Sequence, residues 1–273
     1  MDMKACHDEL EQVALEGFKR LNRTRIVEHK RWEVPVGSWD VSVVRGKVLE
    51  KAAATRILLK TKNPETGEDT LFNVFQLKVY PGSPKVPILL FNLENRAAAK
   101  EDKFAGFLDV APVAASKRDL HFLQAEIKKV AEKYGQDYET LREKVDGIYK
   151  MDHWEKAVNA GIGIRLELST EQLGLVKDAA RIWVDSYFKI VEKRAREPFS
   201  KKQEALMYSV RARIMEFYML QDLSFRVAQK LGVPLEALTL AHFDRSYDTD
   251  LHLYMVRRKS KWIWREGLFY GSI

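Results

Sequence analysis

Between residues 4 and 31, Leu10, Val13, Ala14, Gly17, Phe18, Leu21 and Ile26 recur at three- and four-residue steps among charged positions. That spacing predicts an amphipathic helix, and Pro35 with Gly37 ends the pattern. From Trp39 to Pro112 the period drops to two. The segments WDVSVV, KVLEKAAATRILLKT, TLFNVFQLKVY, VPILLFNLE and FAGFLDVA are separated by Arg45-Gly46, NPETGED, PGSPK and AAAKED. Five or six strands joined by short turns make an antiparallel meander. The stretch 63–69 is a hairpin signal, because Asn-Pro and Thr-Gly supply the φ constraints of a tight turn.

Beyond Pro112 the pattern becomes helical, over 118–134 and, after Gly135, over 137–145. A strand at 161–168 interrupts it. Ser169-Thr170-Glu171 opens a long helix to about Arg196, Pro198 breaks it, and Ser200 starts another that reaches Leu231-Gly232. A short helix over 234–241 closes the pattern. Strands in one block with helices after them predict an α+β fold, a sheet covered by helices. Residues 245–273, with Trp262, Trp264, Phe269 and Tyr270, read as an aromatic extension that must pack on something.

Composition narrows the function more than the fold. The 273 residues are 46% hydrophobic and carry 46 basic against 39 acidic side chains, a net charge of +7. This suits one globular domain with a basic surface. No apolar run reaches the ~18 residues of a membrane span and the first residues are polar, so a cytoplasmic location is expected. Cys6 is the one cysteine, which excludes an internal disulfide, a cysteine-rich zinc site and an iron–sulfur cluster. The six histidines are scattered without a metal-binding spacing, so no metal is expected. Gly161 and Gly163 in GIGIRLE lack the third glycine of a dinucleotide fingerprint, and there is no phosphate loop. With no bound cofactor expected, any redox role borrows its electrons. Lysines and arginines spread through the predicted helices form no nucleic-acid module, whereas an acidic protein needs only a complementary basic face.

Four places carry candidate chemistry. In VPILLFNLE, alternation sets Leu90, Asn92 and Glu94 on one face, where a covered polar pair must be hydrogen-bonded or bind a ligand. Asp109 ends the strand FLDVAP, a position where a carboxylate commonly ties down a turn. Asp222 lies in the largely apolar run EFYMLQDLSFRV; on a buried helix face it would donate a proton near neutrality, and at the surface it would pair with Arg226. Arg165 sits inside a short strand, facing either water or a carboxylate that its planar fork can clamp.

In order, these segments resemble two families that act on tetrapyrroles. GKVL, TRILLK, FQLKVYPGSPKVPILLFN, FLDVAP and QDLSFRVAQKLGVPLEALTLAHFD resemble the ferredoxin-dependent bilin reductases and their relative, red chlorophyll catabolite reductase. RGKVLEKAAAT, YPGSPKVPILLFN, the helix from Leu120 to Val145 and the stretch from Ser186 to Asp222 resemble oxygen-dependent coproporphyrinogen oxidases. The first resemblance implies a three-layer α/β/α sandwich over 1–244, with an antiparallel sheet of six or seven strands. It also implies reduction of a biliverdin-like bilin by electrons from an acidic reduced ferredoxin, with Asp222 as proton donor and Asn92 orienting the pyrroles. Arg165, Gln76, Asp109 and Leu90 then contact the substrate, and Leu77, Phe107, Phe217 and Leu220 supply apolar walls. Asn92 stands where most bilin reductases carry an aspartate, and an amide supplies no proton. From the coproporphyrinogen oxidase pattern the chain departs at Tyr80, where that family has a histidine, and at Leu223, where it has an arginine. A tetrapyrrole carrier without catalysis is the third reading.

Overall fold

The computed structural model describes residues 3–63, 67–98 and 102–243. Seven strands, β1 (Glu28–Val34), β2 (Gly37–Val44), β3 (Leu49–Lys62), β4 (Asp69–Pro81), β5 (Ile88–Ala98), β6 (Asp102–Ala111) and β7 (Ile164–Ser169), form one antiparallel sheet in chain order. The fold is α+β, as the pattern of elements predicts. The hairpin between β3 and β4 closes through Asn63 N to Glu68 O and Gly67 N to Asn63 O, both 2.8 Å.

The first helix, α1 (Met3–Asn22), is shorter than its periodicity suggests, and residues 28–34 are strand. Arg23 adopts a left-handed φ of 53°. Asn22 turns its side chain onto the backbone of Leu49, accepting from the N–H at 2.8 Å and donating to the carbonyl at 3.0 Å. These bonds fix the chain's exit from the helix, and Ile26, which continued the helical spacing, is 78% exposed.

Alternation along the strands divides the sheet into two unlike faces. One face, with Phe75, Leu77, Val79, Phe91, Leu93, Leu108 and Leu166, is largely apolar and lies under α1, α2 (Lys117–Lys133) and α4 (Leu173–Arg194), with Asn73 and Arg56 meeting His7 and Asp8 of α1 toward its edge. Leu77, expected in a substrate pocket, belongs to this core. The other face is covered by the irregular segment 145–160, the second half of α5 (Lys201–Leu220), α6 (Leu223–Lys230) and α7 (Leu235–His242). The short α3 (Tyr138–Glu143) packs by β7.

Sequence signals at the helix starts are read correctly at Ser200, which forms a reciprocal capping box with Gln203. At 169–171 the expected long helix does open, through a 3-10 turn, Thr170–Gln172, that leads into α4, but no side-chain hydrogen bond caps α4. The helix expected to run unbroken to 231 is interrupted after Leu220. There the Asp222 carboxylate accepts from Phe225 N at 2.7 Å and starts α6 as its N-cap. The aromatic extension lies outside the described residues.

Candidate functional site

The strand register assembles a polar row across the second face. Thr55, Gln76, Asn92, Phe107 and Arg165 lie side by side on β3 to β7. The neighbouring row toward one end reads Ala53, Lys78, Leu90, Asp109, and toward the other Ile57, Val74, Glu94, Ala105, Glu167. Each side chain points the same way because each strand contributes every second residue. Gly106 keeps the middle of this floor close-paired: with φ of 133°, a Cβ there would come 2.2 Å from the Asn92 carbonyl.

Above the floor lies a cavity of about 920 Å³, at the upper end of small-molecule sites. Gln76, Asn92, Arg165 and Asp222, all expected from the sequence, line it. Gln76 Nε2 donates to Asn92 Oδ1 at 2.9 Å, while Gln76 Oε1 is buried with no hydrogen-bond partner. A buried acceptor without a donor is costly, and an N–H of a bound molecule would satisfy it. Arg165 is half exposed and its Nε lies 2.9 Å from Glu167. Arg96, Lys62 and Lys103 add positive charge to the lining, opposed by Glu68, Glu94 and Glu167.

Asp222 reaches the cavity from the α5–α6 junction. Its Oδ1 takes the Phe225 N–H and the Ser224 hydroxyl. This is a half-buried helix cap, in contrast to the buried mid-helix acid expected from the apolar run.

Two expected contacts lie beside the cavity. Leu90 is fully buried in the apolar cluster on this face. Asp109 is fully buried and accepts from Asn159 Nδ2 at 2.8 Å, Gly161 N at 2.9 Å and Ile162 N at 3.4 Å. Burial pushes its carboxyl up to about 6, against the pull of those donors. It ties down the turn that leads into β7, the structural reading of the motif. Of the expected walls, Phe107 lines the cavity, Phe217 packs in the cluster beside it and Leu220 is 53% exposed.

The sequence did not single out Lys78, Tyr149, Tyr218 and His242. Lys78 Nζ donates to Tyr149 OH at 2.8 Å, and Tyr149 OH meets Tyr218 OH at 2.7 Å. Burial pulls the Lys78 amine down to about 7, with the Asp222 charge lifting it in the opposite direction. Burial also drives both phenols well above their ordinary value and His242 well below its own, so Tyr149, Tyr218 and His242 are neutral. The His242 and Tyr218 rings meet at a tilt, with centroids 4.8 Å apart. Lys78 was legible: it shares parity with Gln76 on β4. The tyrosines carry no such signal, coming from an irregular segment and a helix.

A family model described as Coproporphyrinogen III oxidase matches residues 7–237. An oxygen-dependent coproporphyrinogen-III oxidase of Coxiella burnetii strain Dugway 5J108-111 is 22% identical over 231 residues, covering 80% of this chain and 72% of the relative. Proteins of the same description from strains RSA 331 and RSA 493 match to the same extent. These matches overturn the bilin reductase reading, and with it biliverdin as substrate and ferredoxin as donor and partner. Both resemblances share the sheet segments around YPGSPKVPILLFN; the family match extends from residue 7 to residue 237, over the helices as well as the sheet. The chain belongs to the coproporphyrinogen III oxidase family.

Proposed function

We propose that the protein is an oxidoreductase that binds a porphyrinogen in the cavity on the second face of the sheet and oxidises it with dioxygen. The observation that carries this reading is the amide floor. Gln76 presents an unsatisfied acceptor beside Asn92 within the matched residues, and a porphyrinogen offers pyrrole N–H donors. Arg165, toward the β7 edge, meets a propionate there, and Asp222 accepts a proton at the opposite wall. The oxidation proposed here is an oxidative decarboxylation. A propionate loses carbon dioxide and two electrons as it becomes a vinyl group, and dioxygen takes the electrons with two protons to give hydrogen peroxide.

Tyr80 is a departure from the family pattern that bears on the chemistry, and it lies outside the cavity lining. Where the family pattern carries a histidine, this buried phenol donates to the His242 carbonyl at 2.6 Å. Binding without turnover is the second reading. The test is anaerobic mixing with coproporphyrinogen III, followed by air and chromatography of the products. Vinyl-containing product with matching peroxide supports the enzyme, and tight binding with no product supports the carrier. No binding of coproporphyrinogen III or of coproporphyrin III overturns the reading.

A further inference from the structure

Lys78 is a charge in the cavity that the fold leaves without a counter-ion. It is 3% exposed, too deep for its amine to reach water in the way lysines on sheet surfaces do. Its row neighbours, Ala53 and Leu90, are apolar and buried. Around it lie the rings of Phe107, Tyr149 and Tyr218, with centroids 5.5, 5.4 and 5.1 Å from Nζ. The ring faces and the single bond to Tyr149 offset part of the lost hydration. No carboxylate of the described residues lies within 4.0 Å of it.

We propose that Lys78 anchors a carboxylate of the bound ligand on the cavity floor. The proposal takes the ligand's identity from the porphyrinogen reading, but the anchor stands on the geometry alone. An ammonium in a poorly solvated site is stabilised by an anion far more than one in water. A carboxylate supplies both the missing charge and acceptors for the two remaining N–H groups. The titratable neighbours leave that role open. Tyr149 and Tyr218 are neutral, as is His242 on α7; Tyr80 on β4 is bonded to the His242 carbonyl, and Asp109, on β6, is committed to the 159–162 turn. Lys51 on β3 is occupied by the carbonyls of Thr239 and Phe243, and Asp222 acts only through space. Ligand binding is therefore coupled to protonation. The amine is charged below about 7, so affinity for a carboxylate falls as pH rises above that value, and a bound carboxylate moves the midpoint upward.

The test is side-chain NMR of the full chain labelled at lysine Cε and Nζ, with the Lys78 resonance identified by its loss in Lys78→Met. It is titrated alone, with propionate, with coproporphyrin III and with coproporphyrin tetramethyl ester. The expected midpoint near 7 moves up by about one unit with propionate and with coproporphyrin, and stays put with the ester. Lys78→Met is expected to weaken coproporphyrin binding about tenfold while binding the ester as the wild type does. A midpoint moved by neither carboxylate overturns the anchor, as does a Lys78→Met protein that binds coproporphyrin at full strength. A midpoint moved by propionate in a protein that binds no coproporphyrin upholds the anchor and removes the porphyrinogen reading.

Discussion

The same seven strands present an apolar face to α1, α2 and α4 and a face to α5–α7 that buries Gln76, Lys78 and Asp109. Burial is comparable on the two sides, but its effect is opposite. On the first face most side chains lose water and gain packing, so burial stabilises on balance, although His7 on α1 is buried with one ring nitrogen unpaired. On the second, an amide oxygen and an ammonium lose water without full replacement, so burial there destabilises unless a ligand supplies what is missing. The contrast marks one face as scaffold and the other as site.

Substitutions should separate the faces. Trp183, fully buried on α4, belongs to the scaffold; Trp183→Ala is expected to lower unfolding stability by about 3–5 kcal/mol, measured by denaturant titration. Asp109→Ala should cost about 2–3 kcal/mol, because it leaves the donors of Asn159, Gly161 and Ile162 buried and unpaired. A loss as large as that of Trp183→Ala would mean that the turn before β7 supports the whole second face.

Lys78→Met should act with the reverse sign. The Lys78 amine lies below its ordinary value when folded, so the unfolded chain binds the extra proton between about pH 7 and pH 10. Wild-type stability therefore gains a rising contribution across that window, and Lys78 destabilises the fold below it. The variant should be more stable than the wild type at pH 6, by about 1–2 kcal/mol, with the advantage shrinking toward pH 10; thermal melts across that range measure it. A variant less stable at pH 6 would place Lys78 among the scaffold residues. The smallest effect is that of Asp222→Ala, which removes the α6 cap and should cost about 1 kcal/mol. Its readout is a thermal melt beside porphyrinogen turnover: a stability loss with unchanged turnover would leave Asp222 a cap alone.

Much of this contrast was legible in the strands. Period-two alternation put Asn92 on a definite face, and the register brought it into one row with Gln76, which only the resemblance had named, and Arg165, whose facing had been open. It also put Lys78 beside them, yet a lysine in a strand normally signals solvent. Alternation assigns a face but not what covers it, and the cover here comes from 145–160 and the end of α5, where no period operates. For the same reason the helical spacing at Asp222 concealed a chain break: a capping aspartate and a mid-helix aspartate look alike until the backbone shows which N–H they meet. Family choice failed at another level, because short shared strand motifs carry less weight than a match that spans the helices as well as the sheet.

The chain-order sheet also has a kinetic reading. Pairing each of the first six strands with its predecessor closes only small loops, so β1–β6 can zip together with little entropic delay. Joining β7 to β6 must wait until residues 112–163 are brought round. Pulse-labelled hydrogen exchange should find the amides of β3–β5 protected before those of β7, and simultaneous protection would refute that order. The edge that delivers Arg165 is then completed last and opened first, so the pocket's rim is renewed on a faster clock than its floor.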